Sequence, residues 1–250
     1  MEQQRPSVMS FAGLDPSGGA GLLADIKTFE QHRVYGLGVC TALTVQTASD
    51  FISVEWLSLP CILAQARPLL ATNSIRYCKI GIMADVYGML ELVRTVKHLS
   101  PGIHIILDPV LKASAGHTFH GSIQHQAWQE LLSELYLLTP NYHEATLLAG
   151  MTDGEEAAQQ LAVQCAVLLK GGHHEGRPGT DTLYSGDDVY TFPAGPGPVY
   201  PKHGSGCVLS AAITACLAQG QSLPDACTNG KVYTEKLLAS HVSLTGYHHI

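Results

Sequence analysis

The chain has 250 residues, 46% of them hydrophobic, which suffices for a large core and is compatible with one α/β domain spanning 1–250. Lys and Arg number 14 against 21 Asp and Glu, a net charge of −7 with no basic block, so a nucleic-acid partner is not expected. Seven scattered cysteines form no C-x-x-C pair, as in a reducing compartment, and no apolar run approaches a membrane span. With no secretory pattern in residues 1–7, a soluble cytoplasmic protein is expected.

Short β-like runs alternate with helix-length amphipathic segments. Residues 8–12 read as a strand ending at Gly13, and 21–29 as a helix with Leu22, Ile26 and Phe29 on one face. The pattern continues through strand 37–45, helix 62–70, strand 76–81, helix 86–98, strand 104–108, helix 122–135 and strands 136–139 and 166–170. Such alternation predicts a mostly parallel sheet covered by helices on both faces. Two β-like runs around Gly186-Asp-Asp188 predict a hairpin over 181–192. The Pro- and Gly-rich stretch 192–201 reads as an ordered loop rather than a linker, and helices at 207–217 and 223–240 close the chain. Ligands of parallel sheets collect beyond the carboxyl ends of the strands, where Gly13, Gln46, Gly81, Asp108, Asn141 and Lys170 fall.

The run Lys202-His203-Gly204-Ser205-Gly206-Cys207 opens a helix. Free backbone N–H groups and the positive end of the helix dipole suit it to an anion such as a phosphate, and the same field is expected to acidify the Cys207 thiol. Gly13-Leu-Asp-Pro-Ser-Gly-Gly-Ala-Gly21 joins the first strand to the first helix. It lacks both the G-x-G-x-x-G spacing of a dinucleotide site and the Gly-Lys-Ser/Thr ending of a P-loop. Asp25 shares the apolar face of the first helix and needs a partner if buried, or else serves as an acid in the first turn. The Gln46 amide offers the donor and acceptor that an aminopyrimidine edge requires. Asp108 and Glu144 supply oxygen for Mg²⁺ on a nucleotide, although Asn141 and Glu144 equally have the spacing of a helix start. Lys170 is a cation at a strand exit, suited to phosphate or to a surface turn. His173-His174 and His248-His249 lack ligand spacing and read as solvated.

Five motifs in order resemble the ribokinase-like superfamily and, within it, the hydroxymethylpyrimidine and phosphomethylpyrimidine kinases of thiamine biosynthesis. They are Ala12 to Phe29, Thr41-Ala-Leu-Thr-Val-Gln-Thr47, Lys79-Ile-Gly-Ile-Met83 with Asp108-Pro-Val110, Thr139-Pro-Asn-Tyr-His-Glu144 with Leu169-Lys-Gly-Gly172, and His203-Gly-Ser-Gly-Cys-Val-Leu-Ser-Ala-Ala212. The resemblance implies a three-layer α/β/α fold with a mostly parallel central sheet, an ATP- and Mg²⁺-dependent kinase and a homodimer. It implies a pyrimidine pocket at Gly13, Ala20, Asp25, Thr44, Gln46, Ile82 and Val110. Asn141, Glu144, Lys170 and His203 would meet the nucleotide, Asp108 and Glu144 the metal, and Gly204, Ser205, Gly206 and Cys207 would form the catalytic anion hole. Most relatives have Thr where Lys202 stands, and a Lys-Ser-Gly stretch where this chain reads Ser114-Ala115-Gly116, so Lys202 is expected to replace part of the lost cation. Pyridoxal kinases share the cysteine loop and form the alternative reading, beside a non-catalytic pyrimidine-binding regulator.

Overall fold

The computed structural model describes residues 5–111, 123–172 and 176–248. β1 (Ser7–Leu14) leads through α1 (Gly21–Gln31) into β2 (Tyr35–Gln46), which folds back as β3 (Phe51–Trp56). There follow α2 (Leu59–Thr72), β4 (Ile75–Ile80), α3 (Val86–Leu99), β5 (His104–Leu107), α4 (His125–Leu132), β6 (Leu137–Leu138), α5 (Tyr142–Ala149), α6 (Gly154–Leu161) and β7 (Ala166–Leu169). The hairpin β8 (Asp181–Ser185) and β9 (Asp188–Phe192) precedes α7 (Ser205–Ala218) and α8 (Leu223–Ala239). The strands make one sheet in the order β3-β2-β1-β4-β5-β6-β7-β8-β9, parallel from β2 to β7. β3 pairs antiparallel at one edge, and β8 and β9 do so in turn at the other.

The three-layer expectation holds. Along β5, Ile105 and Leu107 pack with α2 to α6, whereas Ile106 between them packs with α7 and α8, the two-residue period of a strand buried on both faces. α1 joins α7 and α8 on that second face. Residues 208–217 of α7 are all buried, which explains why this helix is apolar around its whole circumference.

Two elements fall outside the expected alternation. β3 is an edge strand with both faces partly in water, so it carries no apolar run, and α6 is a short helix started by Asp153, whose carboxylate accepts from the N–H groups of Glu155 and Glu156. The helix expected over 122–135 is shorter, His125–Leu132, with Gln124 as its N-cap and Ser133 as its C-cap, and residue 122 lies outside the described residues.

β1 pairs with β2 on one side and β4 on the other, so the chain winds in opposite directions from it. Ligand crevices open at such switch points. The β1–β2 register shifts between Ala12 and Gly13, at the carboxyl end where the glycine-rich loop begins. No helix among the described residues is long and apolar enough to cross a membrane.

Candidate active site

Two loops meet above the switch point. In the first, Asp15 Oδ1 accepts from the Ser17 N–H (2.8 Å), and Oδ2 accepts from Ser17 Oγ (2.9 Å) and the Ala20 N–H (2.8 Å). His203, expected at the nucleotide, donates from Nε2 to the same Oδ2 at 2.9 Å and so clamps the second loop to the first. Burial pushes the Asp15 carboxyl up, but the His203, Ser17 and Ala20 donors outweigh it and hold it below the ordinary carboxylate value. Gly204 is the N-cap of α7 with φ of 78°, and a Cβ there would lie 2.2 Å from the Gly19 carbonyl oxygen and 2.6 Å from Ala20 Cα. Only glycine fits that contact. Gly21, at φ 57°, starts α1, and a Cβ on it would lie 2.3 Å from the Gly13 carbonyl oxygen. The amino ends of α1 and α7 therefore converge. Ser205, Gly206 and Cys207 form the first turn of α7, whose leading N–H groups have no carbonyl of their own helix to bond.

Cys207 corrects one expectation. Burial pushes its thiol up to about 11, against the pull of Lys79 and of the Gly21 N–H, with the Asp108 and Asp25 charges adding to the rise. The dipole of α7 does not offset that desolvation, so the thiol is neutral at pH 7.

Beneath the loops lie two buried ion-pair groups. Asp25 does not line the crevice: it is 0% exposed, with Oδ1 2.5 Å from Lys79 Nζ and Oδ2 accepting from Ser10 Oγ at 2.6 Å. Lys79, also 0% exposed, has burial against its ammonium. The charges of Asp25 and then Asp108 outweigh that and raise it above the ordinary lysine value. In the second group, Lys170 Nζ lies 2.8 Å from Asp108 Oδ1 and 3.8 Å from Glu144 Oε2. Burial opposes the Lys170 charge, but Asp108 and Glu144 hold its value above the usual range. This group sits at the first turn of α7: a Cβ on Gly206 would be 3.3 Å from Lys170 Nζ and 3.7 Å from Asp108 Oδ2.

Asn141 and Glu144 form a capping box. Asn141 Oδ1 accepts from the Glu144 N–H and Glu144 Oε2 from the Asn141 N–H, both at 2.8 Å, while burial raises the Glu144 carboxyl despite Lys170. The helix-start reading is realised, and Glu144 faces Lys170 as well.

Of the residues expected at the pyrimidine, Gly13, Thr44, Gln46 and Ile82 lie at or just beyond the carboxyl ends of β1, β2 and β4, Ala20 is the N-cap of α1 and Val110 follows β5. Thr44 Oγ1 donates to the Leu14 carbonyl at 2.8 Å and accepts from Gln46 Nε2 at 2.8 Å. Ile82 closes on Gly13, where a Cβ would be 2.5 Å from Ile82 Cδ1, and the Ile82 carbonyl accepts from Thr41 Oγ1 at 2.7 Å. Val110 follows β5 with its N–H on the Asp108 carbonyl at 2.8 Å.

Lys202 is a second correction: its ammonium turns from the anion loop to the carbonyls of His241 and Leu238, at 2.5 and 3.1 Å. It supplies no cation to a phosphate there. Neither Ser114-Ala115-Gly116 nor His173-His174 falls within the described residues. His248 is not a solvated histidine, since its Nδ1 lies 3.0 Å from the Tyr233 hydroxyl and burial, then Lys27, bring it down to about 4. Sequence reasoning passed over Lys79 and Asp15 except as letters within motifs. A lysine inside an apolar strand was the available sign for the first.

The family model for phosphomethylpyrimidine kinase matches residues 15–250. A hydroxymethylpyrimidine/phosphomethylpyrimidine kinase of Rhizobium meliloti is 34% identical over 93% of this chain and 90% of its own length. The solved phosphomethylpyrimidine kinase of Clostridium difficile superposes with TM-score 0.79 at 28% identity, over 92% of this chain and 98% of that one. An ADP complex of Bacillus subtilis pyridoxal kinase gives 0.84 at 26% identity, over 95% and 93%. Motif order, a ribokinase-like sheet with its crevice beside β1, and a glycine-cysteine turn over a buried Lys–Asp pair coincide with those matches: the chain belongs to the phosphomethylpyrimidine kinase family.

Proposed function

We propose that the chain transfers the γ-phosphoryl group of ATP to the hydroxymethyl oxygen of 4-amino-5-hydroxymethyl-2-methylpyrimidine, and then a second one to the monophosphate, in thiamine biosynthesis. The observation that carries this reading is the convergence of the α1 and α7 amino ends on Cys207, directly over Asp108 and Lys170. Phosphoryl transfer relies on positioning and electrostatics, and this arrangement supplies both.

In this reading the N–H groups of Gly204 to Cys207 hold the transferring phosphoryl, and Lys170 supplies positive charge beside it. Gln46, with its Oε1, and the chain around Gly13, Ala20, Thr44, Ile82 and Val110 hold the flat ring. Asp25 acts behind that pocket through Lys79. Asp108 and Glu144 would hold Mg²⁺. Their hard oxygens suit that ion, which is otherwise carried by phosphates and water. When bound, Mg²⁺ neutralises phosphate oxygens. Cys207 receives the hydroxymethyl proton late, since the loose transition state asks little of the base early on. The resting thiol first gives its proton to solvent, which the partly exposed Cys207 reaches, and the thiolate so formed is the base. We place the enzyme in the cytoplasm as a homodimer, acting on small molecules.

The rival is pyridoxal phosphorylation, favoured by the Bacillus subtilis likeness. Coupled ADP-release assays with the hydroxymethylpyrimidine, its monophosphate and pyridoxal separate the two. The expected result is the highest kcat/KM with the pyrimidines. Turnover with pyridoxal alone overturns the substrate assignment, and tight pyrimidine binding with no ADP formed overturns the kinase reading in favour of a regulator.

A further inference from the structure

Lys202 stands apart from the other buried lysines. Lys79 and Lys231 each face a carboxylate, as does the half-buried Lys170, whereas among the described residues none pairs with Lys202, although it is 7% exposed. Its ammonium is held by backbone oxygens: His241 at 2.5 Å, Leu238 at 3.1 Å and Tyr200 at 3.4 Å, with the Tyr200 ring centroid 5.5 Å away. Leu238 lies in the last turn of α8, where carbonyls lack helical partners and the dipole is negative. The three oxygens come from the loop before the anion turn, the end of α8 and the C-terminal segment. The next residue extends the junction, since the His203 N–H donates to the Leu244 carbonyl at 2.8 Å. A buried cation needs such compensation.

Convergent backbone carbonyls are also what replaces the hydration shell of a potassium ion. Potassium and ammonium are close in size. We propose that Lys202 is a tethered monovalent cation: its ammonium draws three carbonyls together, fixes the start of the anion loop, and removes any need for a free cation at this junction. Lys202 is thus a positioning residue acting through His203 and Gly204, which rests on the phosphoryl-transfer reading of residues 204–207. Cutting the side chain back to alanine leaves the carbonyls and a gap that potassium or ammonium fills.

The test compares wild type, Lys202→Ala and Lys202→Met in choline, sodium, potassium and ammonium chlorides at equal ionic strength. Two readouts are taken, the Tm and the kcat and KM for the pyrimidine. The alanine variant should lose about 10- to 100-fold in kcat in choline, as a displaced loop would cost. Potassium or ammonium should restore most of it and raise its Tm, while wild type and the methionine variant, whose apolar chain fills the gap, do not respond. Wild-type dependence on potassium, full activity of the alanine variant in choline, or a loss no cation restores each overturns the proposal. The Tm response is read without substrate, so a failed kinase assignment stays distinguishable from a failed cation site. If the alanine variant does not fold in any salt, Lys202→Thr is put through the same comparison and decides.

Discussion

Replacing Lys79 by methionine is the sharpest perturbation of the buried charges. Lys79 and Asp25 are both 0% exposed and 2.5 Å apart, and Ser10 is the other partner of the carboxylate. Methionine removes the ammonium and leaves Asp25 with one hydroxyl donor in the interior. Breaking one side of such a pair costs about 3–5 kcal/mol, whereas replacing both charges by neutral groups is often near neutral. Against a total stability of about 5–15 kcal/mol, the single variant loses a large share. Burial already pushes the Asp25 carboxyl up, and without Lys79 it rises further. A carboxyl whose folded value exceeds its unfolded one destabilises the native state above the unfolded value, so the deficit should shrink as pH falls towards about 4. Urea unfolding followed by circular dichroism, on Lys79→Met, Asp25→Asn and the double variant at neutral and mildly acid pH, gives the cycle. The double variant should be more stable than Lys79→Met alone. A double variant as unstable as the sum of the two singles, or a Lys79→Met deficit indifferent to pH, refutes the reasoning.

Cys207→Ala should lower kcat by about 10²–10⁴-fold while pyrimidine binding, measured by calorimetry, stays nearly intact; wild-type turnover removes the base assignment. In the ligand-free chain, alkylation of Cys207 by iodoacetamide, followed by peptide mass mapping, should accelerate with pH up to about 11. A rate that levels off near neutrality contradicts the neutral thiol. His248 is brought down to about 4 against Tyr233, so the unfolded chain binds the extra proton first and docking of the C-terminal segment is lost as pH falls from about 6.5 towards 4. Hydrogen exchange over 241–248 should therefore be faster at pH 5 than at pH 7 after correction for intrinsic rates, and equal protection speaks against it.

The alternation of apolar runs located the parallel strands, because strands such as His104–Leu107 are buried on both faces and leave an unbroken apolar signature. Strand ends then placed Asp108, Asn141 and Lys170 on one side of the sheet, and the glycines marked where loops approach. β3 escaped because an edge strand in contact with water carries no such signature. The partner of Asp25 lies 54 residues away, and nothing local shows which side chain faces it. Lys202 misled for a related reason: adjacency to an anion loop suggested a phosphate contact, while the carbonyls that hold it come from 36 and 39 residues further on. For Cys207 the helix dipole was legible in the sequence, but the desolvation that outweighs it was not.

The most direct measurement is mass detection of the products after incubating the full chain with ATP, Mg²⁺ and 4-amino-5-hydroxymethyl-2-methylpyrimidine. The account predicts the monophosphate first and the diphosphate after it, with ADP formed in step. ADP without a phosphorylated pyrimidine, or no product while pyridoxal is phosphorylated in a parallel reaction, contradicts it.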